Sequence, residues 1–137
     1  MKKKYVLLII LLIISIITVL LIKNPKEKML FKDIHMDDVK SVTATLQPPN
    51  ATYELNTKEI EELIKILQSV VTYNKDNSYR NYCGQSVVFS IVKNDGSTIN
   101  IMAYSPFIVI DGTGYKTKYE PCDKLTSLGN RIGKLGF

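Results

Sequence analysis

The chain's single histidine, His35, stands in DIHMDD beside Asp33, Asp37 and Asp38. Imidazole nitrogen and carboxylate oxygens are both ligands for first-row metals, so the cluster could in principle hold a divalent ion. An acidic run in a polar stretch is more simply a solvated surface, and that reading is adopted: no metal. One histidine allows neither an HExxH pair nor a His-rich zinc set. A Ser-His-Asp triad would have to use His35, and no strained nucleophile turn accompanies it. Glu54, Asp111 and Glu120 could supply the carboxylate pair of a glycosidase, although nothing in their spacing singles them out. The GxG of DGTG lies between strands rather than before a helix N-terminus, which is no place for a nucleotide phosphate. The expectation is a protein with no enzymatic activity and no cofactor.

Cys83 and Cys122 are the other reactive side chains. An even count outside the cytoplasm suggests a disulfide, which would close a loop of about 40 residues and stabilise by about 4 kcal/mol in the chain-entropy model. Equally, Cys122 lies at a helical apolar position, where a free thiol behaves as a small hydrophobe. Both readings stand at this stage. Neither cysteine has a neighbouring histidine, so a catalytic thiolate is not expected.

Recognition chemistry is better represented. Tyr73, Tyr79, Tyr82, Tyr104, Tyr115 and Tyr119 crowd the second half of the chain. The polar loop YNKDNSYRNY offers Tyr79, Arg80 and Tyr82 together, and tyrosine and arginine are favoured at binding hot spots. SPF presents Phe107 after a strand break, beside that loop. Tyr79, Arg80, Tyr82, Phe107 and Tyr115 are the expected contact residues. The alternative for each tyrosine is edge-on packing with a wet hydroxyl.

Regular elements must position these groups. In VKSVTATL, Val42, Ala44 and Leu46 share one face of a half-buried strand. QPPN turns the chain, because two prolines cannot sit inside a sheet ladder. ATYEL makes a second short strand. Asn56, with Glu59 three residues on, forms a capping box for a helix over 57–69, whose apolar face is Ile60, Leu63, Ile64 and Leu67. After the long polar loop come SVVFSIVK, a hairpin turn at NDGS, TINIMAYS, FIVI, a turn at DGTG, and YKTKY. Pro121 suits the first turn of a last helix with Cys122, Leu125, Leu128 and Ile132 on its apolar face, weakened by Gly129 and Gly133. The fold class is α+β: two N-terminal strands, a helix, a four-stranded meander and a C-terminal helix, forming an antiparallel sheet with helices on one face.

Ahead of this domain lies an apolar run of 18 residues, Tyr5 to Ile22, interrupted only by Ser15 and Thr18. As a helix it reaches about 27 Å, enough for a thin hydrocarbon core. No small-x-small cleavage site follows it, so the run reads as an uncleaved signal anchor rather than a removed secretory peptide. Lys2, Lys3 and Lys4 precede it and place the N-terminus in the cytoplasm. The organisation is then a cytoplasmic N-terminus (1–4), a transmembrane anchor (5–22), a stalk (23–37) and an extracytoplasmic domain (38–137). The net charge of +5 belongs wholly to residues 1–28, leaving 12 basic and 12 acidic side chains beyond them. A neutral domain has no field to collect nucleic acid.

The stretches SVTATLQPPNATYEL, SYRNYCGQSVVFSI, NDGSTINIMAYSPFIVIDGTGYKTKYEPCDKL and LGNRI together resemble a small extracytoplasmic domain of Firmicutes. That domain occurs in short anchored proteins. It also resembles the C-terminal ectodomain of some membrane metallopeptidases of the beta-lactam-sensing type. The similarity runs from Phe31 to Ile132, and YSPFIVIDGTGYKTKYEPC is its most distinctive part. The peptidase portion and its zinc motif are missing here, and Cys83 replaces what is commonly a small non-cysteine residue. The resemblance implies an envelope-facing accessory or sensing module that binds an envelope protein or a small ligand. An inhibitor or immunity-like protein with one tight partner, and a small carboxylate-dependent hydrolase, are the alternatives.

Overall fold

The computed structural model describes residues 2–23 and 26–135. Helix α1 spans Lys2–Lys23. It is long and apolar enough to cross a membrane or to serve as a signal sequence. The domain that follows is built from β1 (Val39–Gln47), β2 (Ala51–Glu54), α2 (Thr57–Gln68), β3 (Thr72–Lys75), β4 (Ser86–Lys93), β5 (Thr98–Tyr104), β6 (Phe107–Ile110), β7 (Thr113–Thr117) and α3 (Tyr119–Leu135). The seven strands form one antiparallel sheet in the order β2-β1-β4-β5-β6-β7-β3.

The period-two alternation of strands, read from the sequence for Val42, Ala44 and Leu46, sets the two faces of this sheet. Val42, Ala44 and Leu46 of β1, Val87, Phe89 and Ile91 of β4, Ile101 and Ala103 of β5 and Ile108 of β6 enter one core. Against them pack Leu63, Ile64 and Leu67 of α2 and Cys122, Leu125, Leu128 and Ile132 of α3. Both helices therefore cover the same face. The capping box forms as expected: Glu59 N donates to Asn56 Oδ1 at 3.0 Å, and Asn56 N donates to Glu59 Oε2 at 2.8 Å. The NDGS hairpin places Gly96 at φ +86°, where a side chain would be strained.

Three details differ from the sequence reading. First, TYNK is not loop but an edge strand, β3, paired with β7. Its lysine and asparagine hid a strand that is buried only at Thr72. Second, residues 26–37, the described part of the segment after Lys23 read as a stalk, are docked on the domain, while residues 24 and 25 of that segment lie outside the described residues. Phe31 and Ile34, joined across a turn by Ile34 N donating to Phe31 O at 3.2 Å, are buried in the core, and Lys28 and Thr72 exchange backbone hydrogen bonds of 2.8 and 2.7 Å. Third, Gly129 and Gly133 do not simply weaken α3. A Cβ at Gly129 would overlap the Val87 methyl groups, and one at Gly133 would come within 2.9 Å of Leu46. The absence of side chains there is what lets α3 lie close on β4 and β1.

Candidate binding site on the helix-free face

On the sheet face turned away from the helices, β1 presents Ser41, Thr43 and Thr45, while β4 and β5 mix Ser90 and Asn100 with Val88 and Met102. Thr45 and Thr52 hydroxyls lie 2.9 Å apart, and Ser90 Oγ donates to Asn100 Oδ1 at 2.7 Å. At the end of β5 and on β6 the same face becomes apolar. Phe107 is paired with Tyr104, and Val109 with Met102, so all four side chains project from the helix-free side. Phe107 and Val109 are nevertheless buried, because the segment from Asp76 to Gly84 folds over them as a strap.

The strap is held at Gly114. Asp76 N donates to Gly114 O at 2.8 Å, and Gly114 N donates to Asn77 Oδ1 at 2.8 Å. Asp76 also caps the 3-10 turn Asn77–Asn81 through Ser78 N at 2.9 Å. These bonds from Ser78, helped by the charge of Lys116, hold the Asp76 carboxyl below its usual range. Tyr79 follows and lies on the bare backbone of Gly114. Its hydroxyl donates to Gly112 O at 3.2 Å, and its ring is 6.5 Å from that of Phe107. The Tyr82 ring is 5.7 Å from Phe107. Arg80 stacks on Tyr79 with Cζ 5.6 Å from the ring centre and donates to the Tyr79 hydroxyl at 3.3 Å.

Beside the strap is an open groove of about 260 Å³, lined by Arg80, Tyr82, Cys83, Gly84, Met102 and Tyr104 among others. Tyr82 is 60% exposed at its rim. A guanidinium with free donors, three tyrosines within reach and a thioether offer stacking and hydrogen bonding to a small planar or anionic group.

Tyr79, Arg80 and Tyr82 thus come together as expected. Phe107 does not present itself: at 2% exposure it is the floor under the strap. Alternation places it on the helix-free face of β6, and the strap, through Tyr79 and Tyr82, covers it there. Tyr115 lies on the other face, paired with Ile108 and packed against the main core, and takes no part in the groove. Met102 was missed, and Tyr104, named among the tyrosines, was not among the expected contacts, although the alternation in TINIMAYS already sets both on the face opposite Ile101 and Ala103.

The two cysteines are not bonded. Cys122 is buried under the helix-covered face, where Sγ donates to Phe107 O at 3.2 Å. Cys83 is exposed on the strap side, so the sheet separates the thiols. Burial pushes the Cys122 thiol above its usual range, outweighing the opposing contact from Ser105. Among the described residues no three His, Cys, Asp and Glu side chains gather as a metal cluster. Glu54 lies on the edge strand β2, Asp111 accepts from Asn100 N at 2.9 Å beyond β6, and Glu120 pairs with Lys124 at 3.0 Å on α3.

No family model matches this chain. Neither a curated protein nor a solved structure matches it.

Proposed function

We propose that this chain is a membrane-anchored binding or sensing module without enzymatic activity, held outside the cell by α1 with its N-terminus in the cytoplasm. The groove beside the strap is its contact site. The observation that carries this reading is the placement of Tyr82 and Arg80. Both are exposed on a short segment pinned by Gly114, Asn77 and Phe107, so little conformational entropy is lost when they engage a partner. The partner is an envelope protein or a small envelope ligand. The resemblance to ectodomains carried next to a membrane portion supports an extracytoplasmic setting.

Photocrosslinking in intact cells tests it, with the probe replacing Tyr82 and, separately, Met102. A third probe at Glu61, exposed on α2, serves as the reference. One recurrent adduct at both groove positions, absent at Glu61, is the expected result. Capture no greater than at Glu61 would remove the groove as a partner site. Full-length mass of the membrane-bound protein, including residues 1–23, is expected if α1 is retained. A mass lacking them would identify α1 as a cleaved signal sequence.

A further inference from the structure

The residues after α1 do not hang free. Lys28 N donates to Thr72 O at 2.8 Å, Thr72 N to Lys28 O at 2.7 Å, and Thr72 Oγ1 to Lys28 O at 3.1 Å. The outer edge of β3 is therefore stitched to the chain five residues beyond Lys23, the last residue of α1. Five residues span at most about 17 Å. With α1 leaving the bilayer at its C-terminal end, the β3 edge at Thr72 lies within that reach of the headgroups.

At this edge is a hollow of about 510 Å³ lined by Lys26, Lys28, Leu30, Tyr73, Lys75 and Tyr115, with Ile22 of α1 at its rim. Among the described residues, Lys26, Lys28 and Lys75 make no ion pair. Their neighbours do: Lys118 meets Glu27 at 3.5 Å and Lys116 meets Asp76 at 3.7 Å. Three unpaired ammonium groups around one concavity complement a phosphate. Beside them, Met29 and Leu30 are 48% and 45% exposed. Lysine, tyrosine and aliphatic side chains set together at the end of an apolar helix are the composition of a membrane-interface contact.

We propose that this hollow receives the headgroup of an anionic phospholipid from the bilayer that holds α1, docking the β3 edge on the membrane surface. The proposal rests on α1 being a retained anchor. It fixes an orientation as well. Strands lie about 4.8 Å apart, so β5, three strands from β3, holds Met102 and the groove about 14 Å farther along the sheet.

The chain has no tryptophan, so a single introduced one is a clean reporter. Full-length Leu30→Trp and Leu12→Trp are reconstituted in nanodiscs of phosphatidylcholine, alone or with phosphatidylglycerol. Acyl chains brominated near the headgroup or near the bilayer centre act as quenchers. Leu12→Trp is expected to be quenched by deep bromines in both lipids. Leu30→Trp is expected to be quenched by shallow bromines with phosphatidylglycerol, and Lys28→Ala or Lys75→Ala in that background lowers the ratio of docked to free protein about fivefold each. High salt has the same effect as the lysine changes. If Leu12→Trp is quenched while Leu30→Trp behaves alike in both lipids and ignores the lysine changes, the headgroup site is wrong and the anchor stands. If Leu12→Trp is not quenched, the anchor reading fails and the headgroup site fails with it.

Discussion

The Tyr79 ring rests directly on Gly114: a Cβ added there would meet Tyr79 Cδ1 at 2.6 Å and would also overlap the Asp76 carbonyl. The strap can lie flat on β7 only because this position has no side chain. Gly114→Ala must lift Tyr79 or shift Asp76, and overpacking of this kind costs about 1–3 kcal/mol. The expected result is a lower denaturation midpoint together with faster amide exchange over residues 77–84. An unchanged midpoint and unchanged protection would show that Gly114 does not hold the strap.

Gly129→Ala separates close packing from helix propensity. Alanine in a helix interior is favoured over glycine by about 1 kcal/mol. Here the added methyl would overlap Val87, whose branched side chain has little freedom to turn away. Overpacking at about 1–3 kcal/mol is expected to win, so the variant loses stability in urea. Ser127→Ala, exposed on the same helix, is expected to leave the midpoint level or raise it. A stabilised Gly129→Ala would mean that α3 is free to move off the sheet.

Most of the α+β architecture was legible because local signals agreed with tertiary needs. Asn56 and Glu59 mark the start of α2, alternation assigns Val42, Ala44 and Leu46 to one face, and NDGS closes a hairpin. Two features resisted for physical reasons. β3 is an edge strand whose single buried residue, Thr72, breaks no polar pattern in TYNK. Phe107 was legible as an aromatic after a break, yet its burial depends on a strap that returns from about 30 residues earlier in the chain. Periodicity within a strand assigns a side chain to a face but does not say what covers that face. Tyr115 and Tyr82 look alike in sequence, and only the register of β7 on β6 puts the first against the core.

Asp76 ties the strap to acid conditions. Its carboxyl is held below the usual aspartate range by Ser78 first, with a smaller contribution from Lys116. A depressed carboxyl contributes stability that is fully present above the ordinary aspartate value near about 3.9 and lost as pH falls through the lower folded value. Urea midpoints of the wild type and Asp76→Asn are therefore expected to differ above about pH 5 and to converge in strong acid. Parallel curves would remove Asp76 from the acid response.

The two thiols give opposite reports on one chain. Cys83 is exposed on the strap and Cys122 is buried with its thiol donating to Phe107 O. A membrane-impermeant maleimide applied to intact cells is expected to label the chain once, with the label abolished by Cys83→Ser. Labelling only after lysis would place the domain inside. A second label appears only on denaturation, because folding keeps Cys122 both covered and protonated. Its raised value also has a sign. Above the ordinary thiol range the unfolded chain ionises at Cys122 and the folded chain does not, so the unfolded state binds fewer protons and stability falls as pH rises. The wild type is expected to lose stability more steeply than Cys122→Ala between about pH 8 and about pH 10, and equal slopes would show that the thiol ionises freely in the folded protein.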